Sequence, residues 1–454
     1  MTNTEKKYAL NLLTKTWIRD SYGLYDYESM ETKNIHCLLS DSVFLVRKQN
    51  NIITNATNDF SQDDLFLNVK CEKNEKYIIS NEIINLNDST EKNIQNLQNK
   101  IWYVLPNDIE KNENVQSNLK IKNSNNNYYL CKNDIIKLGR VKYAINEIHI
   151  PKRKNNIDIE LPKENLFEKK NKENYDINKI NIHSAPILNF IYTCKKEEKK
   201  EDSLCKICYS NENTEINPLV HLCKCSGGIR FAHYECIKKW METKLEIKEN
   251  EKHTVKNYTI KSFNCEICKT PYPFKFKIEG NEKIFDLINI ERPNNCDYII
   301  LESLNQMKHD CNVKSIHMII LNDDDIIIGR GHFCDIRIND ISVSRNHSCL
   351  KYDYESGKLM LKDLGSKFGT LVLIKKPLEI KKNKICLQIG RTYVEASLID
   401  IQEYERLKNE KKRKIKNIEK FNLEKDCFEH NINKDEIPVW KSQKIESEKL
   451  KKSL

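Results

Sequence analysis

Residues 221–240 read HLCKCSGGIRFAHYECIKKW and place three cysteines and two histidines within twenty residues. Candidate metal ligands occur here and on both sides as close pairs. Two residues separate the members of CKIC, HYEC and CEIC, and one separates those of CKC. Such spacing lets both side chains of a pair turn toward one ion, and four pairs supply the eight ligands of two tetrahedral zinc ions. The predicted zinc ligands are Cys205, Cys208, Cys223, Cys225, His233, Cys236, Cys265 and Cys268.

A disulfide framework and a catalytic Cys/His pair are the alternatives to zinc that the residues leave open. A disulfide framework needs an oxidising compartment, yet the start of the chain, MTNTEKKYALNLLTKTWIRD, contains no apolar signal segment, which favours a reducing compartment. A catalytic Cys/His pair needs one activated thiolate rather than four ligand pairs. His221 and His253 fall outside the pairs, and we interpret both as surface or packing residues.

The composition favours several small folded units. The chain has 454 residues, of which 39% are apolar and 31% are charged, and its net charge of +10 is spread over both signs. The positive excess is a bias toward anionic partners rather than a nucleic-acid signature, and a phosphorylated or acidic partner is just as compatible. No apolar run approaches the roughly 18 residues of a membrane-spanning helix, so we expect no membrane partner.

The pattern along the chain predicts six segments. Leu10, Leu13 and Trp17 recur at helical spacing, which predicts a helical segment within 1–34 that packs against the next domain. Short apolar runs between polar insertions predict a β-rich domain at 35–150. The remaining predictions are a charged linker at 151–203, a zinc finger at 204–275, a second β-rich domain at 284–402, and a charged helix and tail at 403–454.

The order and spacing of the ligands resemble a known zinc finger. Four cysteines, one histidine and three cysteines, with C-x-C, seven residues, H-x2-C and then Trp240, resemble the RING-CH (variant RING) finger of RING-type ubiquitin ligases. The plant homeodomain finger shares the ligand order, but the single residue inside CKC and the position of Trp240 favour RING-CH. In the cross-brace of this family, alternate pairs share a metal. The resemblance therefore assigns one structural zinc to Cys205, Cys208, His233 and Cys236, and a second to Cys223, Cys225, Cys265 and Cys268.

The same resemblance implies a docking surface. RING ligases hold a ubiquitin-conjugating enzyme in a shallow apolar groove, and Ile207, Trp240 and Pro271 occupy the corresponding positions. Lys269 stands where many RING ligases carry an arginine that contacts both ubiquitin and the conjugating enzyme, and lysine lacks the planar guanidinium. The segment between the sixth and seventh ligands is longer than usual, and we interpret it as a basic surface insertion.

Residues 326–373 resemble a second family. The stretch IIIGRGHFCDIRINDISVSRNHSCLKYDYESGKLMLKDLGSKFGTLVL alternates apolar positions between turn signals, which predicts an antiparallel sandwich. Within it GR, DIRIND, SVSRNH and DLGSKFGT resemble the forkhead-associated (FHA) domain, a β-sandwich that binds phosphothreonine through loops at one end. Because a phosphate needs a fixed cation and short donors, the resemblance implies a site made by Arg330, Ser344, Arg345 and Lys367.

Two further features qualify the FHA resemblance. Phe368 replaces an asparagine whose amide, in the family, bonds the peptide backbone, so a competent site and a site with altered preference are both open. The stretches CKNDIIKLGRVKYAINEI and NKICLQIGRTYVEASLI are similar at their LGR and IGR triplets, which suggests a duplicated sandwich. The N-terminal stretch has no equivalent of SRNH, so we expect no second phosphate pocket.

We therefore expect a multidomain, mainly β protein, with two β-sandwich-like domains flanking a small two-zinc cross-brace finger and a charged C-terminal helix. The leading hypothesis is a soluble RING-type ubiquitin ligase of the cytoplasm, with the nucleus as the alternative compartment. Its partners would be a ubiquitin-conjugating enzyme, ubiquitin and a phosphothreonine-containing protein. The alternative is a phospho-dependent scaffold without ligase activity. Nucleic-acid binding through KKRK at 411–414 is least favoured, because a solvated helix face accounts for that run.

Overall fold

The computed structural model describes residues 7–18, 24–25, 31–48, 51–55, 65–72, 76–80, 100–105, 128–150, 188, 190–195, 203–261, 263–304, 314–354 and 356–413. Strands account for about half of them and are the main regular element, as the sequence predicts. The strands described before residue 150 are β1 (Tyr8–Trp17), β2 (Thr32–Leu39), β3 (Val43–Lys48), β4 (Asn51–Asn55), β5 (Leu65–Cys71), β6 (Tyr77–Ser80), β7 (Ile101–Val104), β8 (Tyr128–Leu130), β9 (Ile135–Leu138) and β10 (Val141–His149).

The middle of the chain contains short strands around one helix. Its elements are β11 (Ile191–Cys194), β12 (Leu219–Val220), β13 (Ala232–His233), α1 (Tyr234–Glu242), β14 (Leu245–Glu249), β15 (Val255–Ile260), β16 (Lys275–Ile278) and β17 (Ile284–Asp286). Strand β11 lies within the predicted linker 151–203, most of which falls outside the described residues.

The last part of the chain is again built of strands and ends in a helix. It contains β18 (Tyr298–Ser303), β19 (Lys314–Ile320), β20 (Ile326–Gly329), β21 (Ile336–Arg337), β22 (Ser348–Asp353), β23 (Lys358–Asp363), β24 (Thr370–Leu373), β25 (Leu378–Ile380), β26 (Ile385–Ile389), β27 (Thr392–Asp400) and helix α2, residues 401–413. Helix α2 confirms the predicted charged helix. In the described part of the chain, no helix combines the length and apolar character needed to cross a lipid bilayer.

Two β-sandwiches share a sheet of twelve strands, in the order β14-β15-β19-β18-β10-β9-β24-β7-β26-β27-β1-β2. From β19 to β2 this order is symmetric about the β24–β7 pair. The strands β9, β10, β18 and β19 on one side correspond to β26, β27, β1 and β2 on the other. Two five-stranded sheets, β25-β6-β5-β3-β4 and β21-β20-β22-β23-β8, complete the sandwiches and show the same correspondence.

The two halves of the chain exchange their last three strands. The N-terminal sandwich consists of β1–β7 with β25–β27, and its core brings Leu12 and Leu45 together with Leu387. The C-terminal sandwich consists of β18–β24 with β8–β10, and Ile136 shares its core with Leu350. Each sandwich therefore depends on strands from the other half.

This exchange differs from the predicted division into separate units at 35–150 and 284–402. The physical reason lies in the two hairpins that change places. The β9–β10 turn at Gly139 and the β26–β27 turn at Gly390 have φ angles of 58° and 54°, and similar apolar strands flank both. Either hairpin therefore satisfies the pattern of either sandwich, and the local sequence does not select between them.

The predicted N-terminal helix is wrong, because residues 8–17 form strand β1. Leu10, Leu12, Thr14 and Thr16 are buried, while Leu13 is 42% exposed. Buried and exposed side chains therefore alternate, as they do along a β-strand with one buried face. The alternation is hidden in the sequence because two inward positions are threonines, and the hydroxyl of Thr16 bonds that of Thr392 on β27 at 3.0 Å.

The zinc-finger region covers the outer face of the C-terminal sandwich. Alternate residues of β18 enter different cores: Tyr298 and Ile300 pack with the zinc-finger residues, whereas Ile299 and Leu301 face the sandwich interior. Strand β19 divides in the same way. The finger and the sandwich therefore share buried apolar surface rather than being joined only by the chain.

The long segment between the sixth and seventh metal ligands is not a free surface insertion. It forms the hairpin β14–β15, and β15 pairs with β19 from Val255–Ile319 to Ile260–Lys314. Val255 and Tyr258 are buried on opposite sides of this pairing. The apolar positions at 255, 258 and 260 stand among lysines and asparagines, so the sequence pattern there is typical of a basic surface even though the strand is half-buried.

Candidate metal centre and phosphopeptide site

The first ligand group joins the start of the finger to helix α1. Cys205, Cys208, His233 and Cys236 offer ligand atoms that all lie within 4.8 Å of one another. Nδ1 of His233 lies 3.2 Å from Cys208 Sγ and 3.9 Å from Cys236 Sγ. Its Nε2 donates to the carbonyl of Glu212, so Nδ1 is the nitrogen left for a metal.

The second group consists of four cysteines whose sulfur atoms also lie within 4.8 Å of one another: Cys223, Cys225, Cys265 and Cys268. Cys225 and Cys265 place their sulfurs 3.7 Å apart. Tetrahedral zinc with bonds of about 2.3 Å separates its sulfur ligands by about 3.8 Å, so the distance fits. Each group supplies four protein ligands, which is the composition of a structural site. The chain therefore holds two zinc sites with the predicted cross-brace pairing.

Two matching turns shape the ligand pairs CKIC and CEIC. Cys205 N–H donates to Ser210 O at 2.9 Å, and Cys265 N–H donates to Thr270 O at 2.8 Å. The residue after each pair has positive φ, 60° at Tyr209 and 58° at Lys269. Both turns curl backbone N–H groups toward the sulfurs, as Ile207 N–H shows at 3.4 Å from Cys205 Sγ.

Lys206 connects the two zinc sites, although no motif in the sequence distinguishes it. Its backbone belongs to the first pair, but its Nζ lies 3.3 Å from Cys223 Sγ and 3.6 Å from Cys265 Sγ of the second site. Burial alone would lower the pKa of Lys206, but the neighbouring thiolates, Cys223 above all, outweigh it and raise the pKa. The ammonium thus offsets negative charge at a four-thiolate site.

The two histidines outside the ligand pairs lie elsewhere. His221 bonds the carbonyl of Cys225 through Nε2 at 2.9 Å and packs edge-on against Phe231. His253 lies in the β14–β15 turn, 2.9 Å from Glu249. Neither belongs to a ligand group of the described residues.

The predicted phosphate-binding residues come together at one end of the C-terminal sandwich. Arg330 N–H donates to Ser344 O at 2.9 Å, and Lys367 N–H donates to the Ser344 hydroxyl at 3.1 Å. Gly331 N–H donates to Arg345 O at 2.9 Å. Arg330, Arg345 and Lys367 are exposed. These bonds therefore hold three loops together at Ser344, and each loop carries an exposed cationic side chain.

Two buried features hold these loops in place. A Cβ on Gly329 would lie 2.1 Å from Arg345 O, so the two backbones meet only because residue 329 is glycine. His347 is fully buried, accepts from Ser344 N–H through Nδ1 at 3.0 Å, and lies 3.3 Å from Gly369 O through Nε2. Burial lowers the pKa of His347, which favours the neutral ring that this pair of bonds requires.

Comparison with known families agrees with both geometries. A family model described as the RING-variant domain matches residues 205–268, and one described as the FHA domain matches residues 326–408. The chain contains a RING-variant finger and an FHA domain. The FHA match runs through β25–β27, although these strands complete the N-terminal sandwich.

The relatives of the RING-variant finger are ubiquitin ligases by name. E3 ubiquitin-protein ligase MARCHF7 of Rattus norvegicus is 31% identical over 96 residues, which are 21% of this chain and 12% of the relative. E3 ubiquitin-protein ligase MARCHF6 of Mus musculus is 36% identical over 74 residues, 16% of this chain and 6% of the relative. This chain thus spans at most 12% of the length of these two relatives. No solved structure matches the chain.

The docking residues predicted for the RING-variant finger lie beside its zinc turns. Ile207 is 44% exposed, Lys269 is exposed, and Pro271 is half-buried. Trp240 is also half-buried and packs edge-on against Tyr272, with ring centroids 5.9 Å apart. Ile267, at the place in CEIC that Ile207 holds in CKIC, is 58% exposed and was not among the predicted docking residues.

The FHA domain carries exposed apolar residues near the loops of the predicted phosphate site. Phe333 is fully exposed and Ile341 is 82% exposed. Phe368, which replaces the expected asparagine, is half-buried with Lys367 Nζ 5.8 Å from its ring centroid. The rim of this site is therefore more apolar than the motif residues alone suggest.

Proposed function

We propose that this protein is a RING-type ubiquitin ligase that selects phosphorylated partners. Its RING-variant finger would hold a ubiquitin-conjugating enzyme, and its FHA domain would bind a phosphothreonine-containing protein. The observation that carries the proposal is the presence of two complete zinc sites beside the exposed Ile207, in a finger whose relatives are named ubiquitin ligases. Such a ligase needs no nucleophile, because it positions the thioester of another enzyme for attack by a substrate lysine.

The conjugating enzyme would dock on the side of the finger that carries Ile207, Trp240, Lys269 and Pro271. Helix α1 supports this surface by burying Ile237 and Met241 in the core of the finger, against which Trp240 also packs. With Trp240 fixed against Tyr272, the indole is held without being covered. A fixed, partly exposed aromatic side chain loses little conformational entropy on binding, which favours an interface position.

The phosphate would bind where Arg330, Ser344, Arg345 and Lys367 converge. Arginine supplies a planar fork for phosphate oxygens, and the serine hydroxyl supplies a short donor. The phosphate brings about −1.5 to −2 charges to this cationic end of the sandwich. This arrangement supports recognition of a phosphorylated side chain rather than a merely acidic one.

Ubiquitin transfer tests the finger directly. Purified full-length protein is mixed with activating enzyme, a panel of conjugating enzymes, ubiquitin and ATP, and chain formation is followed. We expect Ile207→Ala and Trp240→Ala to abolish most chain formation, and Cys223→Ser with Cys225→Ser to abolish all of it. Ile247→Ala is the matched control, because Ile247 is 50% exposed but lies on β14. Ubiquitin chains that still form with the Cys223→Ser and Cys225→Ser variant would refute the proposed ligase activity.

Binding of phosphopeptides tests the FHA domain. An array of phosphothreonine peptides, with unphosphorylated copies, is probed with wild-type protein and with Arg330→Ala. We expect binding that requires the phosphate and the arginine. Equal signals from phosphorylated and unphosphorylated peptides would contradict this part of the proposal.

A scaffold without ligase activity is the second candidate, and Lys269 favours it. A lysine cannot form the bidentate contacts of the arginine found at this place in many RING ligases. The variant Lys269→Arg separates the two candidates. A ligase should gain activity from this change, whereas a scaffold stays inactive with every conjugating enzyme.

We place the protein in the cytoplasm. Two zinc sites with seven thiolates among their ligands support a reducing compartment, because oxidation to disulfides would remove the metal. The nucleus remains the alternative compartment because of the basic run at 411–414. One residue of this run also has a structural contact, since Lys411 Nζ bonds the carbonyl of His36 on β2 at 3.1 Å.

A further inference from the structure

A turn from the N-terminal half of the chain lies against the phosphate-binding loops. Gly139 and Arg140 connect β9 to β10, two of the strands that complete the C-terminal sandwich. Gly139 has positive φ, and a Cβ on it would lie 2.4 Å from Ser342 O. The N–H of Arg140 donates to the Ser342 hydroxyl at 2.9 Å. The turn therefore sits on the segment that leads to Ser344.

The guanidinium of Arg140 extends this contact to Asp340. Its Nη2 lies 3.2 Å from Asp340 Oδ1, which also accepts bonds from the N–H and hydroxyl of Ser342 at 2.8 and 2.6 Å. Burial alone would raise the pKa of Asp340, but the bonds from Ser342 and Arg140 outweigh burial and lower the pKa. The carboxylate is therefore ionised at neutral pH and joins the two halves of the chain.

The backbone held by Asp340 continues into the phosphate site. Val343 N–H donates to Asp340 O at 3.0 Å, and Val343 O accepts a bond of 3.3 Å from Arg330 Nε. Arg330 N–H in turn bonds Ser344 O. The direction of the Arg330 side chain thus depends on a loop that Arg140 holds from outside.

We propose that Arg140 is a positioning residue of the phosphopeptide site, contributed by the N-terminal half of the chain through the strand exchange. The inference rests on the proposed binding of phosphothreonine by the FHA domain. Residues 326–408, which match the FHA family, would then not contain every residue that supports the phosphopeptide site, because Arg140 lies outside them. Changes in the N-terminal half then alter partner recognition without touching the phosphate.

The inference is tested on the full chain with a fluorescent library of peptides that share one phosphothreonine. Side chains of Arg140 and Asp340 are 42% and 27% exposed, so the pair is screened and its effect is moderate. We expect Arg140→Gln to weaken binding about fivefold, Asp340→Asn to do the same, and the double variant to be no weaker than either. Arg391→Gln, in the corresponding β26–β27 turn, is the matched control and retains wild-type affinity.

A direct contact between Arg140 and the phosphate would give another pattern. Removing the Asp340 charge would then leave affinity unchanged or increase it, and the two changes would add. Either that pattern or unchanged binding by Arg140→Gln overturns the inference. Partial recovery with Arg140→Lys supports it, because lysine restores the charge but only part of the geometry.

A measurement without ligand separates this inference from the proposed function. Hydrogen exchange of residues 340–346 should be faster in Arg140→Gln than in wild type, and unchanged in Arg391→Gln. If the wild type binds no phosphothreonine peptide, the proposed function fails. If exchange of this segment is the same in wild type and Arg140→Gln, the positioning role fails, whatever the peptides show.

Discussion

The side-chain amide of Asn250 donates a hydrogen bond of 3.3 Å to the carboxylate of Asp335. Asn250 lies in the turn between β14 and β15, inside the RING-variant finger, and Asp335 lies between β20 and β21 of the FHA domain. Lys252 from the same turn places its Nζ 3.4 Å from Asp335, which also accepts the N–H of Ile327 at 2.9 Å. The finger therefore holds the strand that leads to Arg330.

This connection predicts that zinc removal loosens the C-terminal sandwich. Chelation releases the finger, whose core includes Tyr298 and Ile316 on the outer face of the C-terminal sandwich. We expect hydrogen exchange of β18 and β19 to increase by roughly tenfold or more after chelation, because the strands lose the surface that covers them. Strands β3 and β5 of the N-terminal sandwich serve as the internal control, since no residue of theirs belongs to the finger core. Equal protection of β18 with and without zinc would contradict the prediction.

The zinc sites could be predicted from the sequence, but the pairing of the strands could not. The eight ligands are defined by short spacings, and the structure brings all of them together in two tetrads. Strand exchange depends on which of two similar hairpins, at Gly139 and Gly390, enters each sandwich, and both satisfy the same local pattern. The β14–β15 hairpin was missed because its partner, β19, lies more than fifty residues away in sequence. Pairing over such separations is decided by tertiary packing, which periodicity does not report.

Lys206 gives a second prediction, on zinc affinity. Its Nζ donates toward Cys223 and Cys265, so Lys206→Gln leaves the second zinc site with uncompensated negative charge. We expect zinc affinity of that site to fall about tenfold, as for other residues that support metal ligands. Competition with a chromogenic chelator measures the loss, and one of the two zinc ions should be affected.

Lys224→Gln is the matched control, because Lys224 is exposed between two ligands of the same site. It should release zinc like the wild type. Equal losses in both variants would mean that net positive charge near the finger, and not the contact of Lys206, sets the affinity.

The strand exchange predicts a specific cross-link. Leu13 on β1 and Glu395 on β27 are direct partners on the outer surface, although one belongs to each half of the chain. The double variant Leu13→Cys and Glu395→Cys should form a disulfide under mild oxidation. After cleavage at a protease site placed in the segment predicted as a linker, the two halves should then stay covalently joined in denaturant.

The control pairs Leu13→Cys with Ala144→Cys. Ala144 holds in β10 the place that Glu395 holds in β27, counted from Gly139 and Gly390. It would face Leu13 only if each half kept its own strands. A cross-link between Leu13 and Ala144, and none to Glu395, would therefore show sandwiches without exchange.

His317 predicts how stability depends on pH. The ring is 2% exposed on the face of β19 that meets the sandwich, 3.4 Å from the hydroxyl of Tyr143, and burial lowers its pKa to about 4. The unfolded chain binds a proton near pH 6.5, whereas the folded chain does not until about pH 4. Stability should therefore fall as pH decreases through this window, by about 3 kcal/mol in total from this group. Urea unfolding of wild type and His317→Phe at about pH 7.5 and about pH 5.5 checks this. Loss of zinc at the lower pH is common to both proteins, so the free energy of unfolding should fall more in the wild type. Equal decreases in the two proteins would show that His317 does not contribute.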